Sequence, residues 1–118
     1  MELLTKQVEK DLKKNMALPE MDRRPVVKYF HPVGSATWLI SEIDDDGDLL
    51  FGLCDLGMGF PELGYVALSE LRAIKGPLGL GIERDRLFEA DRTLKEYADA
   101  AKALGHIETG PYDPALVS

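Results

Sequence analysis

Apolar residues return every fourth position at Leu4, Val8, Leu12 and Met16, the spacing that lines one face of a helix. Thr5 stands where an N-cap belongs, Glu9 precedes Lys13 by one turn, and Pro19 bars the helix from continuing. The pattern then changes to short runs rich in β-branched and aromatic residues. These are residues 26–30, Thr37–Ile43, 49–54 and 63–68, and each is bounded by Gly, Pro or Asp clusters. The string Asp44-Asp45-Asp46-Gly47-Asp48 between the second and third runs predicts a hairpin turn. Ser69 is the expected cap of a short helix over 70–74, and residues 82–88 read as a charged edge strand. Thr93 with Glu96 matches a capping box. Leu94, Tyr97, Ala98, Ala101 and Leu104 share one face of the helix that follows, and Gly105 fits its C-terminal stop.

Strands gathered in the middle of the chain, with helices at both ends, predict an α+β fold. The connections between the strands are too short for parallel crossovers. The expected architecture is an antiparallel β-meander of four to five strands, with an N-terminal and a C-terminal helix packed on it. Residues 1–105 are expected to form a single domain and residues 106–118 an irregular arm, because His106 is followed by Gly110, Pro111 and Pro114.

Composition narrows the setting. A chain of 118 residues, 45% hydrophobic and 30% charged, has enough material for one core without a disulfide. A single cysteine, Cys54, rules out an intrachain bridge and suggests a reducing compartment. The first residues lack the pattern of a secretory leader, and no apolar run approaches the ~20 residues that span a bilayer. The expected location is the cytoplasm, away from membranes.

The net charge of −7 is unevenly spread. Between Lys28 and Arg72 there is no Lys or Arg, while Glu42, Asp44, Asp45, Asp46, Asp48, Asp55, Glu62 and Glu70 all fall there. Phosphate binding needs cations, and no general basic surface is expected, so direct nucleic-acid binding by the protein is not expected. A base-free acidic stretch favours a protein partner with a basic surface. Solubility alone is the simpler account of such charge.

Few residues point to catalysis. Glu42, Asp44, Asp46, Gly47 and Asp48 resemble the first half of a calcium loop, but Leu53 stands where the closing Glu belongs, so a solvated turn is expected. Asp55 and Glu62 bracket the loop 56–61, and with Glu42 they are candidates to meet at one end of the sheet and bind a metal or share a proton. The competing reading has the same carboxylates capping loop amides. His31 and His106 lie in no metal-binding spacing, and Cys54 is expected to be a buried, inert thiol. The glycines at 76, 79 and 81 lack a phosphate loop's Lys and Ser/Thr and read as a rigid bend. Trp38, Phe51 and Tyr65 are expected in the core, with Phe60 exposed on its loop. No cofactor is implied.

Several strings occur together in order: Thr37–Ile43, then Phe51-Gly52-Leu53-Cys54-Asp55-Leu56-Gly57, then residues 61–71, then Gly76-Pro77-Leu78-Gly79-Leu80 with Ile82-Glu83-Arg84-Asp85. With the Leu3-Leu4-Thr5 start they resemble the bacterial domain-of-unknown-function family 2958. The likeness covers most of residues 1–88, and the helix from Thr93 reads as an addition to the family's core. The resemblance implies a genetic setting, on plasmids and integrating elements near conjugation and anti-defence genes, and brings no catalytic residue. The leading expectation is a non-enzymatic interaction protein of a mobile element, in one version an anti-restriction or anti-CRISPR protein. Its acidic face, with Glu42, Asp44, Asp46, Asp48, Asp55, Phe60 and Glu62 as binding candidates, would meet a basic or nucleic-acid-binding partner. The alternative is a small metal-dependent or nucleotide-processing enzyme using Glu42, Asp55 and Glu62.

Overall fold

The computed structural model describes residues 1–111; residues 112–118 of the expected C-terminal arm lie outside them. Three helices and five strands follow the order α1 (Lys6–Asn15), β1 (Val27–Phe30), β2 (Thr37–Ile43), β3 (Leu49–Asp55), β4 (Glu62–Ala67), α2 (Leu68–Ala73), β5 (Glu83–Arg84) and α3 (Leu94–Leu104). The sheet runs β4-β3-β2-β1-β5, and every pairing is antiparallel. The α+β meander with a helix at each end is therefore the architecture. No helix among the described residues is long and apolar enough to cross a membrane.

Alternation along the strands divides the core in two. Val27, Tyr29, Trp38, Ile40, Ile43 and Leu50 face one way, where Leu12 of α1 and Leu68 and Leu71 of α2 cover them. Leu39 and Leu53 face the other way, under Leu94, Tyr97 and Ala101 of α3. β2 and β3 are thus covered on both faces, which is why their sequences run apolar rather than strictly alternating. Tyr29 is fully buried and its hydroxyl donates to the Leu3 carbonyl at 2.6 Å, tying the N-terminal segment to the sheet.

The helix ends follow local chemistry. The Thr5 hydroxyl accepts from the Val8 amide at 3.1 Å, and Thr93 and Glu96 form the full capping box. Gly105 closes α3 at φ 81°, a left-handed value that a side chain resists.

Two expected elements are shifted. The short helix begins at Leu68, one residue before the expected cap, and Ser69 does not cap it. Its first amides are taken from across the sheet: the Asp48 carbonyl accepts from Leu68 at 2.7 Å, and the Asp48 carboxylate from Ser69 at 2.9 Å. The fifth strand shrinks from seven residues to Glu83–Arg84, because Asp85 turns the chain by accepting from the Leu87 amide at 2.9 Å.

Candidate functional site

The acidic residues divide into those the fold uses and those it leaves free. In the hairpin, Asp44 Oδ1 accepts from the amides of Asp48 at 3.0 Å and Leu49 at 2.9 Å, and Gly47 takes φ 76°. Asp48 is held by the Ser69 amide and, at 3.1 Å, by the Ser69 hydroxyl. These two acids shape the turn and seat α2, so they are less open to a partner than their place in the charged stretch suggests. Asp45 and Asp46, at the tip, are exposed and make no hydrogen bond or ion pair among the described residues.

Glu42, Asp55 and Glu62, candidates to meet at one end of the sheet, do not come together, and Asp55 instead takes the competing role of capping loop amides. Register is the reason. Glu42 lies opposite Phe51 while Asp55 lies opposite Thr37, four residues further along β3. At about 3.4 Å per residue that places them about 14 Å apart along the strand. Glu42 binds Arg23 at 2.9 Å, with both side chains about one-sixth exposed. Arg23 also donates to the carbonyls of Leu18 and Met16, so the pair clamps the loop after α1 onto the sheet. Asp55, 3% exposed, accepts from the Gly57 amide at 2.8 Å and the Ile107 amide at 3.1 Å, which joins the β3–β4 loop to the segment after α3. Glu62 opens the outermost strand opposite Cys54, and is exposed. Among the described residues no group of three or more His, Cys, Asp or Glu is placed to hold a metal ion.

The more informative surface is β4 itself. Among the described residues its outer edge meets no strand, which leaves a row of backbone donors and acceptors open. Tyr65, expected in the core, is 69% exposed and rests edge-on against Phe51 at 4.9 Å between ring centroids. Its position on the edge strand β4, which no further strand borders among the described residues, accounts for the difference. Phe60 is 80% exposed, as expected of a loop residue, and Leu56, Met58 and Leu63 are exposed beside it. Two hollows flank the strand. One, of about 420 Å³, is lined by Leu53, Phe60, Leu63, Ala98 and Lys102, and the other, of about 490 Å³, by Trp38, Cys54, Leu56, Val66 and Ile74.

Cys54 borders the second hollow, and burial pushes its thiol up to about 11 from an ordinary 9.0. Burial likewise raises the Tyr29 hydroxyl to about 12, against the opposing pull of Arg84 and Arg72. Both groups hold their protons more tightly folded than unfolded. Above pH 9.0 the unfolded chain therefore binds fewer protons, and stability falls as pH rises towards 12. Urea midpoints are expected to stay level to about pH 9 and decline beyond it, and Cys54→Ala should remove part of the decline. The same shift lowers the thiolate fraction, so Cys54 is expected to alkylate more slowly at pH 8 than an ordinary thiol.

Comparison with curated proteins and with solved structures finds no match. A family model described as a protein of unknown function matches residues 3–108, so α3, expected to be an addition, lies inside the family's domain. On that match, which spans the whole sheet and all three helices, the chain belongs to the DUF2958 family.

Proposed function

We propose that this protein is a non-enzymatic interaction module that binds a basic partner protein along the β4 edge. One observation carries the reading: an edge strand that pairs with no further strand among the described residues lies between two largely apolar hollows, inside a stretch that holds eight acids and no base. A partner strand laid against β4 would gain main-chain hydrogen bonds and drop alternate side chains into the hollows on either face. Asp45, Asp46, Glu62 and Glu70 are exposed along the same stretch and would favour lysine or arginine in the partner. The finer version, a mobile-element protein that blocks a nucleic-acid-binding site, adds the setting implied by the family resemblance. No observation favours the enzyme reading, since its three carboxylates lie apart or serve the fold.

The test places a photo-crosslinking amino acid at Tyr65 and, as a control, at the exposed Lys10 on α1. Extract of the native host should yield a discrete adduct from position 65 alone. Reversal of Asp45, Asp46 and Glu62 to lysine should abolish it while the melting temperature holds. Equal adducts from both positions, or indifference to charge reversal, would sink the proposal. A captured partner that loses its grip on DNA or RNA when this protein is added supports the anti-defence version.

A further inference from the structure

The opposite edge of the sheet carries the opposite charge. β5 pairs with β1 through Tyr29–Arg84 and Phe30–Glu83, and the following turn brings Asp85 and Arg86 beside the β1–β2 connection. Between them lies an open cleft of about 900 Å³, lined among others by Lys28, Phe30, His31, Arg84, Asp85 and Arg86. Lys28, Arg84 and Arg86 line it with a single carboxylate, Asp85, in a protein whose net charge is −7.

The bonding of these groups decides what remains open. Asp85 is engaged, since it accepts from the Leu87 amide and lies 3.8 Å from the Lys28 ammonium. Lys28 also donates to the Thr109 hydroxyl at 2.9 Å. Arg84 donates through Nε to the Glu2 carbonyl at 3.1 Å, which anchors the guanidinium; its two terminal amino groups have no partner among the described residues. Arg86 is exposed and has no hydrogen bond or ion pair among the described residues. The cleft thus offers one anchored and one free guanidinium, the fork of donors that suits phosphate oxygens, with the already engaged Lys28 also on its lining. Phe30 supplies an aromatic surface in the same cleft. Grouping these charges in an otherwise acidic protein would draw an anion to this edge.

We infer that the β1–β5 cleft is a phosphate-binding site that takes the phosphates of a nucleotide or of a single-stranded nucleic acid. The site rests on residues separate from the β4 surface, so either assignment stands if the other fails.

The test is a titration of the full-length, nitrogen-15-labelled chain at low salt with pyrophosphate, ADP and a short oligothymidylate, against sodium chloride of matched ionic strength. Saturable amide shifts should centre on Lys28, Arg84 and Arg86. Tightest binding by the oligomer identifies nucleic acid, and tightest binding by ADP a nucleotide. Arg84→Ala with Arg86→Ala should weaken binding about tenfold or more, since each removes a charge-assisted donor. For the oligomer, each arginine removed should also lower the salt-dependence slope by about 1. Arg86→Ala alone, at an exposed and unbonded residue, keeps the test valid if the double variant folds poorly, and should weaken binding several-fold. The inference is overturned if no ligand gives saturable shifts, if chloride reproduces them, or if binding is indifferent to Arg86→Ala and the double variant.

Discussion

Gly52→Ala is expected to destabilise the protein by about 3 kcal/mol or more, the upper end of what overpacking a dense interior costs. Gly52 lies in β3 opposite Ile40 of β2 and Gly64 of β4, in the middle of the sheet. A methyl group there would overlap the Leu39 carbonyl oxygen and come within 2.8 Å of the Ile40 Cα. Both are backbone atoms of a strand covered on both faces, so no side chain can swing aside. The close approach coincides with the bulge between Ile40 and Glu42, where β2 carries one extra residue. Gly64, its neighbour across the next pairing, is the control: a methyl there meets nothing within 4 Å, and Gly64→Ala should change stability by no more than about 0.5 kcal/mol. Urea unfolding should show a much lower midpoint for Gly52→Ala at unchanged slope, with a melting temperature lower by about 10 °C or more. Equal costs at the two glycines would show that strand propensity, not the backbone approach, sets the effect.

Asn15→Ala is expected to cost about 2–4 kcal/mol, because it strips the donor from two carbonyls that water reaches poorly. Asn15 ends α1 and is 9% exposed. Its amide nitrogen donates to the Arg24 carbonyl at 2.7 Å and to the Ser41 carbonyl at 3.0 Å. Ser41 is the residue the bulge inserts, and it is fully buried. The bulge breaks the ladder at Ser41, so its carbonyl needs a partner from outside the sheet, and the helix provides it. Asn15→Asp should be worse than Asn15→Ala, since it turns two donated hydrogen bonds into oxygen facing oxygen. Chemical denaturation of both variants checks the order. If the aspartate variant were as stable as wild type, the bonds to Arg24 and Ser41 would carry no weight.

The proposed functional surfaces differ in how far the sequence exposes them. The acidic stretch of the meander is a plain feature of charge order. Phe60 sits in a loop with Gly57, Gly59 and Pro61, and those neighbours alone mark it as exposed. The basic cleft is not legible in the same way. Lys28 and the Arg84–Arg86 pair stand far apart in the chain, and only the pairing of β5 against β1 brings them together. A charged segment that pairs with the first strand would have been the signal, had its partner been known.

By itself, the sequence determined which elements exist. Helical and strand periods, Thr5, the Thr93–Glu96 box, Gly105 and the Asp-rich turn act over a few residues, and the structure agrees with them. Membership of the family was legible in its ordered strings as well. Tertiary structure alone decided what each element faces. It set Glu42 far from Asp55, gave the first amides of α2 to Asp48 from the β2–β3 turn, and left Tyr65 outside on the edge. It also turned α1 and α3 to opposite faces of one sheet. Periodicity records that a side chain is apolar and local chemistry records where a helix stops. Strand order, register and the choice of edge arise from contacts between residues distant in the chain, and no local pattern encodes them.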